Sequence, residues 1–181
     1  GAVYPGSCDG RYAEPPNAPY STRLRVADTC RQWQDRVFGE VGFDMKQEVG
    51  DFIIKRKDGL DAYQLAVVVD DAWQQVNQIV RGADLLDSTP RQLELYHRLG
   101  FTPPSYLHHP VLTDTSGAKL SKQSHAAAID TADIVANLRH LLTLLGQTIP
   151  NERQAPALLA RAAKQWDISR IPQRHSIVVN D

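Results

Sequence analysis

The spacing of apolar and polar residues predicts a series of short strands and helices after a loop-rich start. Residues 1–22 are rich in proline and glycine, which disfavour helices and long strands. The continuous apolar run at 66–69 is typical of a strand buried on both faces of a parallel sheet. The predicted strands cover residues 23–26, 36–41, 51–57, 66–69, 76–81 and 105–112.

The clearest local signals predict a helix at residues 90–99. Thr89 suits the N-cap, Pro90 suits the first helical position, and Gln92 completes a Thr-x-x-Gln capping box. Gly100 supplies a left-handed stop. Apolar residues at helical spacing predict two further helices, at 131–145 and 153–165. Strands that alternate with helices and then give way to a helical end predict an α/β fold.

Composition narrows the possible function classes. The 181 residues suit one domain or two small ones, and 42% hydrophobic residues suffice for a packed core. The net charge of -1 gives no overall attraction to nucleic acid, so any RNA contact has to come from local basic patches. Five basic residues are candidates for such phosphate contacts: Arg23, Arg25, Lys55, Arg56 and Lys57. For the three at 55–57, a plain solvated edge is the commoner explanation.

The cysteine count and the hydropathy point to a cytoplasmic protein. Cys8 and Cys30 are too few for a framework of several disulfides, although one bridge remains open. The sequence has no apolar run of about 18 residues, so it predicts no membrane helix. The opening GAVYPGSCDGRY lacks the basic and apolar regions of a signal peptide and is typical of the interior of a domain. We therefore expect the chain to begin inside a longer domain.

The loop after residue 113 is the first candidate for chemistry. Lys119, Ser121 and Lys122 follow Gly117 in a polar stretch. Two mobile ammonium groups and a neutral hydroxyl donor can surround a polyphosphate and stabilise charge on leaving pyrophosphate. Taken alone, this pattern is more often a solvated surface loop.

Arg81 and Tyr63 are the second set of candidates. Arg81 ends an apolar predicted strand beside Gly82, where ligands of open α/β sheets bind, and its guanidinium can hold a carboxylate with two hydrogen bonds. The alternative for Arg81 is a surface salt bridge to Asp84 or Asp87. Tyr63, at the start of the predicted strand, can reach a substrate through its hydroxyl, or can be an ordinary core residue with a wet tip.

Other polar groups give weaker signals. Tyr4 and Cys8 are spaced i, i+4, and two residues do not complete a tetrahedral zinc site. Asp70 and Asp71 follow the predicted strand. They could bind magnesium or act as acid and base, but paired acids after a strand are more often turn or cap residues. His108 and His109 have no metal-binding spacing and are interpreted as a polar pair at a strand end.

Residues 50–123 resemble the second half of the catalytic domain of the glutamyl-tRNA synthetases, which are class I enzymes. The most specific parts, in order, are AYQLAVVVDD, IVRGADLLDSTPRQ and GAKLSKQ. The last is similar to the second class I signature, usually written KMSKS. Three features are closer to the shortened glutamyl-queuosine tRNA(Asp) synthetases: only 58 residues follow Gln123, the signature ends in Gln123, and Tyr4-x3-Cys8 matches half of that family's zinc site.

The resemblance implies a reaction and a role for each matching residue. L-glutamate would be activated by ATP and transferred to the cyclopentene-diol ring of queuosine in the anticodon loop of tRNA(Asp). Tyr63 and Arg81 would bind glutamate, and Lys122 would contact ATP with help from Lys119 and Ser121. The implied metals are Mg²⁺ with ATP and Zn²⁺ on Tyr4 and Cys8. The resemblance implies no membrane partner, and we expect a monomer.

The same resemblance implies a domain scheme and an incomplete enzyme. Residues 1–49 would be the remnant of a zinc-containing β insertion, 50–123 the second half of a Rossmann-like catalytic domain, and 124–181 a helical C-terminal region. The first class I signature, an upstream acidic glutamate-binding residue and a Cys-x-Cys pair are absent, so we expect the isolated chain to be inactive. The alternatives are a fragment of a glutamyl-tRNA synthetase and a noncatalytic tRNA-binding module.

Overall fold

The computed structural model describes residues 3–8, 17–121, 129 and 131–179. These residues form eight strands and four α-helices. The strands are β1 (Thr22–Leu24), β2 (Cys30–Asp35), β3 (Gly39–Asp44), β4 (Phe52–Lys55), β5 (Gln78–Gly82), β6 (Ser105–His109), β7 (Val111–Thr113) and β8 (Ser176–Val178). The α-helices are α1 (Tyr63–Trp73), α2 (Thr89–Leu99), α3 (Ile134–Leu144) and α4 (Ala155–Lys164). Short helical segments of other types lie at Met45–Val49, Ala83–Ser88 and Ile168–Arg170.

The chain divides into two compact units. The first consists of Gly1–Asp35, Gly39–Ile79 and Leu85–Tyr106, and the second of Arg36–Phe38, Val80–Asp84 and Leu107–Asp181. The domain scheme expected from the sequence stays a prediction. Within the described part of the chain, the longest helices have 11 residues, and none could cross a lipid bilayer.

Three sheets combine parallel and antiparallel pairing. The largest has the strand order β3-β2-β6-β5, in which β2 is antiparallel to β3 and parallel to β6. Strands β1 and β4 form an antiparallel pair, and β7 lies parallel to β8. Mixed sheets interleaved with helices confirm the α/β class.

The first unit has its own apolar core, made by side chains from strands, the turn at Met45–Val49 and both of its α-helices. Its buried members are Val26, Met45, Val49, Phe52, Val68, Leu95 and Tyr96. A buried ionic network lies beside this core. The Glu94 carboxylate accepts from Arg31 Nε and from Arg98 Nε, both at 2.7 Å. Burial tends to raise the pKa of Glu94, but the hydrogen bonds from Arg98 and Arg31 outweigh it and lower that pKa.

The prediction of a buried strand at 66–69 is wrong, because these residues lie inside helix α1. Locally, the β-branched run favours a strand. The fold instead buries Val68 in the core, with Leu65 and Ala72 packed around it, and the spacing of these three residues fits a helix. Packing has therefore overridden local propensity. Asp70 and Asp71 belong to the helix and do not follow a strand.

Two strand boundaries also differ from the prediction. The first half of the predicted strand at 36–41 is a turn, at residues 36–38. This turn joins β2 to β3 in a hairpin that pairs Asp35 with Gly39. The predicted strand at 105–112 is interrupted at Pro110, which separates β6 from β7. Proline has no N–H to donate to a ladder, so the interruption follows from its chemistry.

The helix at 90–99 is confirmed as α2, which ends at Gly100 in the left-handed conformation, at φ 72°. The predicted capping box is wrong, because Thr89 already belongs to the helix and the N-cap is Ser88, which makes no side-chain cap hydrogen bond. The two later helices are also confirmed, as α3 and α4, and they pack together in the second unit. Leu142, Leu158 and Ala162 are buried between them. Ile134 and Leu141 of α3 are exposed.

Candidate functional site

Arg81 lies in the second unit near the end of β5, as the sequence predicts, and a histidine orients it. The Arg81 Nε–H donates to Nε2 of His108 over 2.9 Å. His108 is in β6 and is fully buried. Because Nε2 accepts this bond, the neutral ring carries its proton on Nδ1. The bond fixes the plane of the guanidinium and thereby the direction of its fork.

Gly82 allows the chain to pass close to its neighbours immediately after Arg81. A Cβ atom at this position would collide with the Asp84 carboxylate and lie 2.7 Å from Cγ1 of Val111. A larger side chain would therefore move either the carboxylate or β7. The glycine beside Arg81 serves packing at this strand end.

Lys119 is held near the same strand end by Asp84. Its Nζ lies 2.6 Å from Oδ2 of Asp84, and both side chains are partly exposed. Ala83 and Asp84 directly follow β5, so this ion pair joins the signature loop to the segment that carries Arg81. The second unit therefore contains two polar pairs, Arg81 with His108 and Asp84 with Lys119.

The loop that carries Lys119 is a tight turn organised by Asp114. The Asp114 carboxylate accepts from Ser116 Oγ at 2.6 Å and from the Ser116 and Ala118 N–H groups at 2.8 and 3.0 Å. The Ser116 hydroxyl and these amides lower the pKa of Asp114, because they stabilise its charged form. Gly117 takes a positive φ of 84°, and a bridge pairs Lys119 with Thr113. The local sequence therefore sets where Lys119 leaves the turn.

The structure gives only part of the predicted phosphate-binding loop. Ser121, two residues after Lys119 in the sequence, is half-buried. Lys122 and Gln123 lie outside the described residues. Their predicted contacts with ATP stay predictions.

Tyr63 belongs to the first unit, whereas Arg81 belongs to the second. It is the first residue of α1, not the start of a strand, and its side chain is 57% exposed. An exposed phenol at a helix start is accessible to a ligand. It is not the core residue that the alternative interpretation described.

Tyr4 and Cys8 lie together in the first unit. The Cys8 N–H donates to Oη of Tyr4 at 2.8 Å, and the Arg23 guanidinium stacks 4.0 Å from the centre of the Tyr4 ring. A hydrogen bond with the Cys8 side chain raises the pKa of Tyr4. The predicted binding of zinc by Tyr4 and Cys8 stays a prediction. No three His, Cys, Asp or Glu side chains within residues 3–8, 17–121, 129 and 131–179 form a metal-binding group.

Sequence reasoning missed the role of His108 and assigned Asp84 only as an alternative partner of Arg81. In the structure Asp84 pairs with Lys119, and Arg81 bonds to His108. The available signal was a histidine placed among apolar residues of a predicted strand. A polar ring there has to find a partner within the fold.

The sequence is similar to known proteins over most of its length. Residues 10–158 match the family described as tRNA synthetases class I (E and Q), catalytic domain. The chain is 46% identical, over 99% of its length, to glutamyl-Q tRNA(Asp) synthetase of Methylococcus capsulatus. It is 47% identical, over 94% of its length, to the protein of that name from Pseudomonas aeruginosa. It spans about 60% of the length of these curated relatives.

Solved structures support the fold. The crystal structure of glutamate-tRNA synthetase from Elizabethkingia anophelis matches with a TM-score of 0.68 at 18% identity, over 89% of this chain and 37% of that one. The glutamate tRNA ligase from Elizabethkingia meningosepticum matches with a TM-score of 0.67, over 87% of this chain and 36% of that one. Because the family match covers residues 10–158, the chain belongs to the catalytic-domain family of the class I tRNA synthetases for glutamate and glutamine.

Proposed function

We propose that this chain is part of an enzyme that activates L-glutamate with ATP and transfers it to queuosine in the anticodon loop of tRNA(Asp). The observation that carries the proposal is the near-half identity, over almost the whole chain, to relatives named glutamyl-Q tRNA(Asp) synthetase. Two groups of the second unit support it: the Arg81 guanidinium, bonded to His108, can bind a carboxylate, and Lys119 can contact phosphate.

The proposed role of the chain is to position reactants and stabilise charge. The Arg81 fork binds a carboxylate of glutamate through paired hydrogen bonds, while His108 holds the guanidinium plane. The Tyr63 hydroxyl supplies a further hydrogen bond to the amino acid. Lys119, Ser121 and Lys122 surround the phosphates of ATP, and their positive charge stabilises the pyrophosphate as it leaves. None of these roles needs a covalent nucleophile on the protein.

Two metals belong to the proposal. Mg²⁺ would accompany the phosphates of ATP and offset their charge. Zn²⁺ would be held by the Tyr4 oxygen and the Cys8 sulfur, with the remaining donors from elsewhere in the complete site. The proposed protein acts in the cytoplasm as a monomer.

The test uses a chimera in which this chain replaces the matching segment of the Methylococcus capsulatus relative. Glutamate-dependent exchange between ATP and pyrophosphate measures activation, and we expect Lys122→Ala to lower it by orders of magnitude. Lys164→Ala, which removes an exposed lysine of α4, is the matched control. Unchanged exchange in Lys122→Ala would defeat the assignment.

The alternative enzyme is a true glutamyl-tRNA synthetase, and the acceptor decides between the two. The proposed enzyme should glutamylate queuosine-containing tRNA(Asp) that lacks its 3′-terminal adenosine. It should leave tRNA(Asp) without queuosine unmodified. The reverse pattern would identify an enzyme that charges the 3′ end.

A further inference from the structure

A shallow basic cleft lies in the first unit, between the segment before β1 and the turn after β4. Its volume is about 420 Å³, and its walls include Asn17, Tyr20, Thr22, Lys55, Arg56 and Lys57. The antiparallel pairing of β1 with β4 places Thr22 opposite Lys55, so the two walls are held together by a strand ladder. The turn that closes one end contains Gly59, with a positive φ of 86°. Rigid backbone elements therefore shape this cleft.

Every charged residue that lines the cleft is a cation. Arg56 is partly neutralised, because its Nη2 lies 2.6 Å from Oδ2 of Asp58. The Leu60 N–H and the Arg56 charge together keep the pKa of Asp58 low, so this pair persists at neutral pH. Lys55 and Lys57 are exposed and have no ion pair within the described residues. These two lysines carry the uncompensated charge of the cleft.

The structure separates these lysines from the arginines that precede β4 in the sequence. Arg23 stacks on the Tyr4 ring, and its Nη1 donates to the Asp51 carbonyl at 2.9 Å. The carbonyl of Arg25 accepts from Arg98 Nη2 at 3.5 Å, and Arg25 has a further interaction. Of the five basic residues that the sequence suggested for RNA contacts, Lys55 and Lys57 are therefore the best placed.

An aromatic ring lies in the same cleft. Tyr20 is 48% exposed and lines the wall opposite the lysines. A half-exposed aromatic beside phosphate-binding cations is the combination that holds unpaired nucleotides, because bases stack on the ring while the lysines contact the backbone. Paired bases are stacked within their helix and do not offer a free face to such a ring.

We propose that this cleft binds an unpaired segment of RNA, with Lys55 and Lys57 on phosphates and Tyr20 stacked on a base. This proposal adds an RNA-binding site to the proposed function, and it rests on that function only for the choice of RNA as the partner. The assignment predicts a binding surface in this chain itself, so it can be measured without catalytic activity.

The experiment titrates the 181-residue chain against a fluorescent RNA hairpin with an unpaired loop, and against a blunt duplex of the same stem, over a series of salt concentrations. We expect the hairpin to bind more tightly than the duplex. The double variant Lys55→Gln/Lys57→Gln should reduce the slope of log affinity against log salt by about 1.4, roughly 0.7 for each lost contact. Lys46→Gln, at an exposed lysine away from the cleft, is the matched control and should leave the slope unchanged.

Tyr20 provides a second, uncharged test. Tyr20→Ala should weaken hairpin binding by roughly tenfold, whereas Tyr20→Phe, which keeps the ring, should bind as the unaltered chain does. All these side chains are exposed, so thermal unfolding should be unchanged in every variant.

Several results would overturn the assignment. The first two are failure of the unaltered chain to bind the hairpin and equal affinity of that chain for hairpin and duplex. The third is a double variant Lys55→Gln/Lys57→Gln that shows the same salt slope as Lys46→Gln. Equal binding of a polyglutamate peptide would identify a general anion site instead. The exchange assay of the chimera is separate. Absent exchange with salt-dependent hairpin binding defeats the proposed enzyme alone, and normal exchange with an unchanged double variant defeats the cleft alone.

Discussion

Replacing His108 with leucine should weaken glutamate binding while the protein remains folded. His108 is fully buried, and its Nε2 accepts from Arg81 Nε at 2.9 Å. Leucine is of similar size and apolar, so it fills the site in β6 but offers no acceptor. The guanidinium then loses the bond that fixes its plane.

The structure sets the size of this effect. A hydrogen bond to a charged group contributes about 1.5–3 kcal/mol, which is roughly 10- to 150-fold in affinity. Arg81 is only half-buried, so water can replace part of the lost interaction. We therefore expect the lower end, about a tenfold increase in the KM for glutamate, with the KM for ATP little changed.

The assay is glutamate-dependent exchange in the chimera, with both KM values measured for each variant. His108→Gln, whose amide oxygen can accept from Arg81, should recover most of the affinity. His97→Leu, at an exposed histidine of α2, is the control for removing an imidazole elsewhere. If His108→Leu folds normally and keeps its KM for glutamate, the positioning role of His108 is refuted.

Three further predictions concern the same units. Gly82→Ala should raise the KM for glutamate and lower Tm, because its Cβ collides with the Asp84 carboxylate and Val111; exchange kinetics and thermal unfolding test this. Asp84→Asn should change the unfolding free energy by less than about 1 kcal/mol, since its pair with Lys119 is partly exposed, but should raise the KM for ATP in the exchange assay. Glu94→Gln should lower the unfolding free energy at neutral pH by about 1–3 kcal/mol. Because the folded pKa of Glu94 is lowered, its contribution is complete above the ordinary value of 4.5 and is lost as the pH falls below it. Urea unfolding at several pH values should show that acid-dependent loss in the unaltered chain and a smaller one in the variant.

Short-range signals in the sequence predicted the features that depend on a few adjacent residues. Pro90 and Gly100 delimit α2 because each restricts or permits a particular backbone conformation at its own position. Gly59, with its positive φ, shapes the turn after β4 for the same reason. The ordered motifs between residues 50 and 123 indicated the family, and the family match over residues 10–158 agrees with them.

Only the tertiary structure decided which state the apolar run around Val68 adopts and which groups meet in the site. The run is a helix because the core accepts Val68, Leu65 and Ala72 from one helical face, and no local preference of valine reveals that. Arg81 and His108 are 27 positions apart, and Lys119 and Asp84 are 35 apart. Such pairs form when separate strands and turns are brought together by burial of the apolar core. The sequence therefore determined which groups were available, and the path of the folded chain determined which of them are partners.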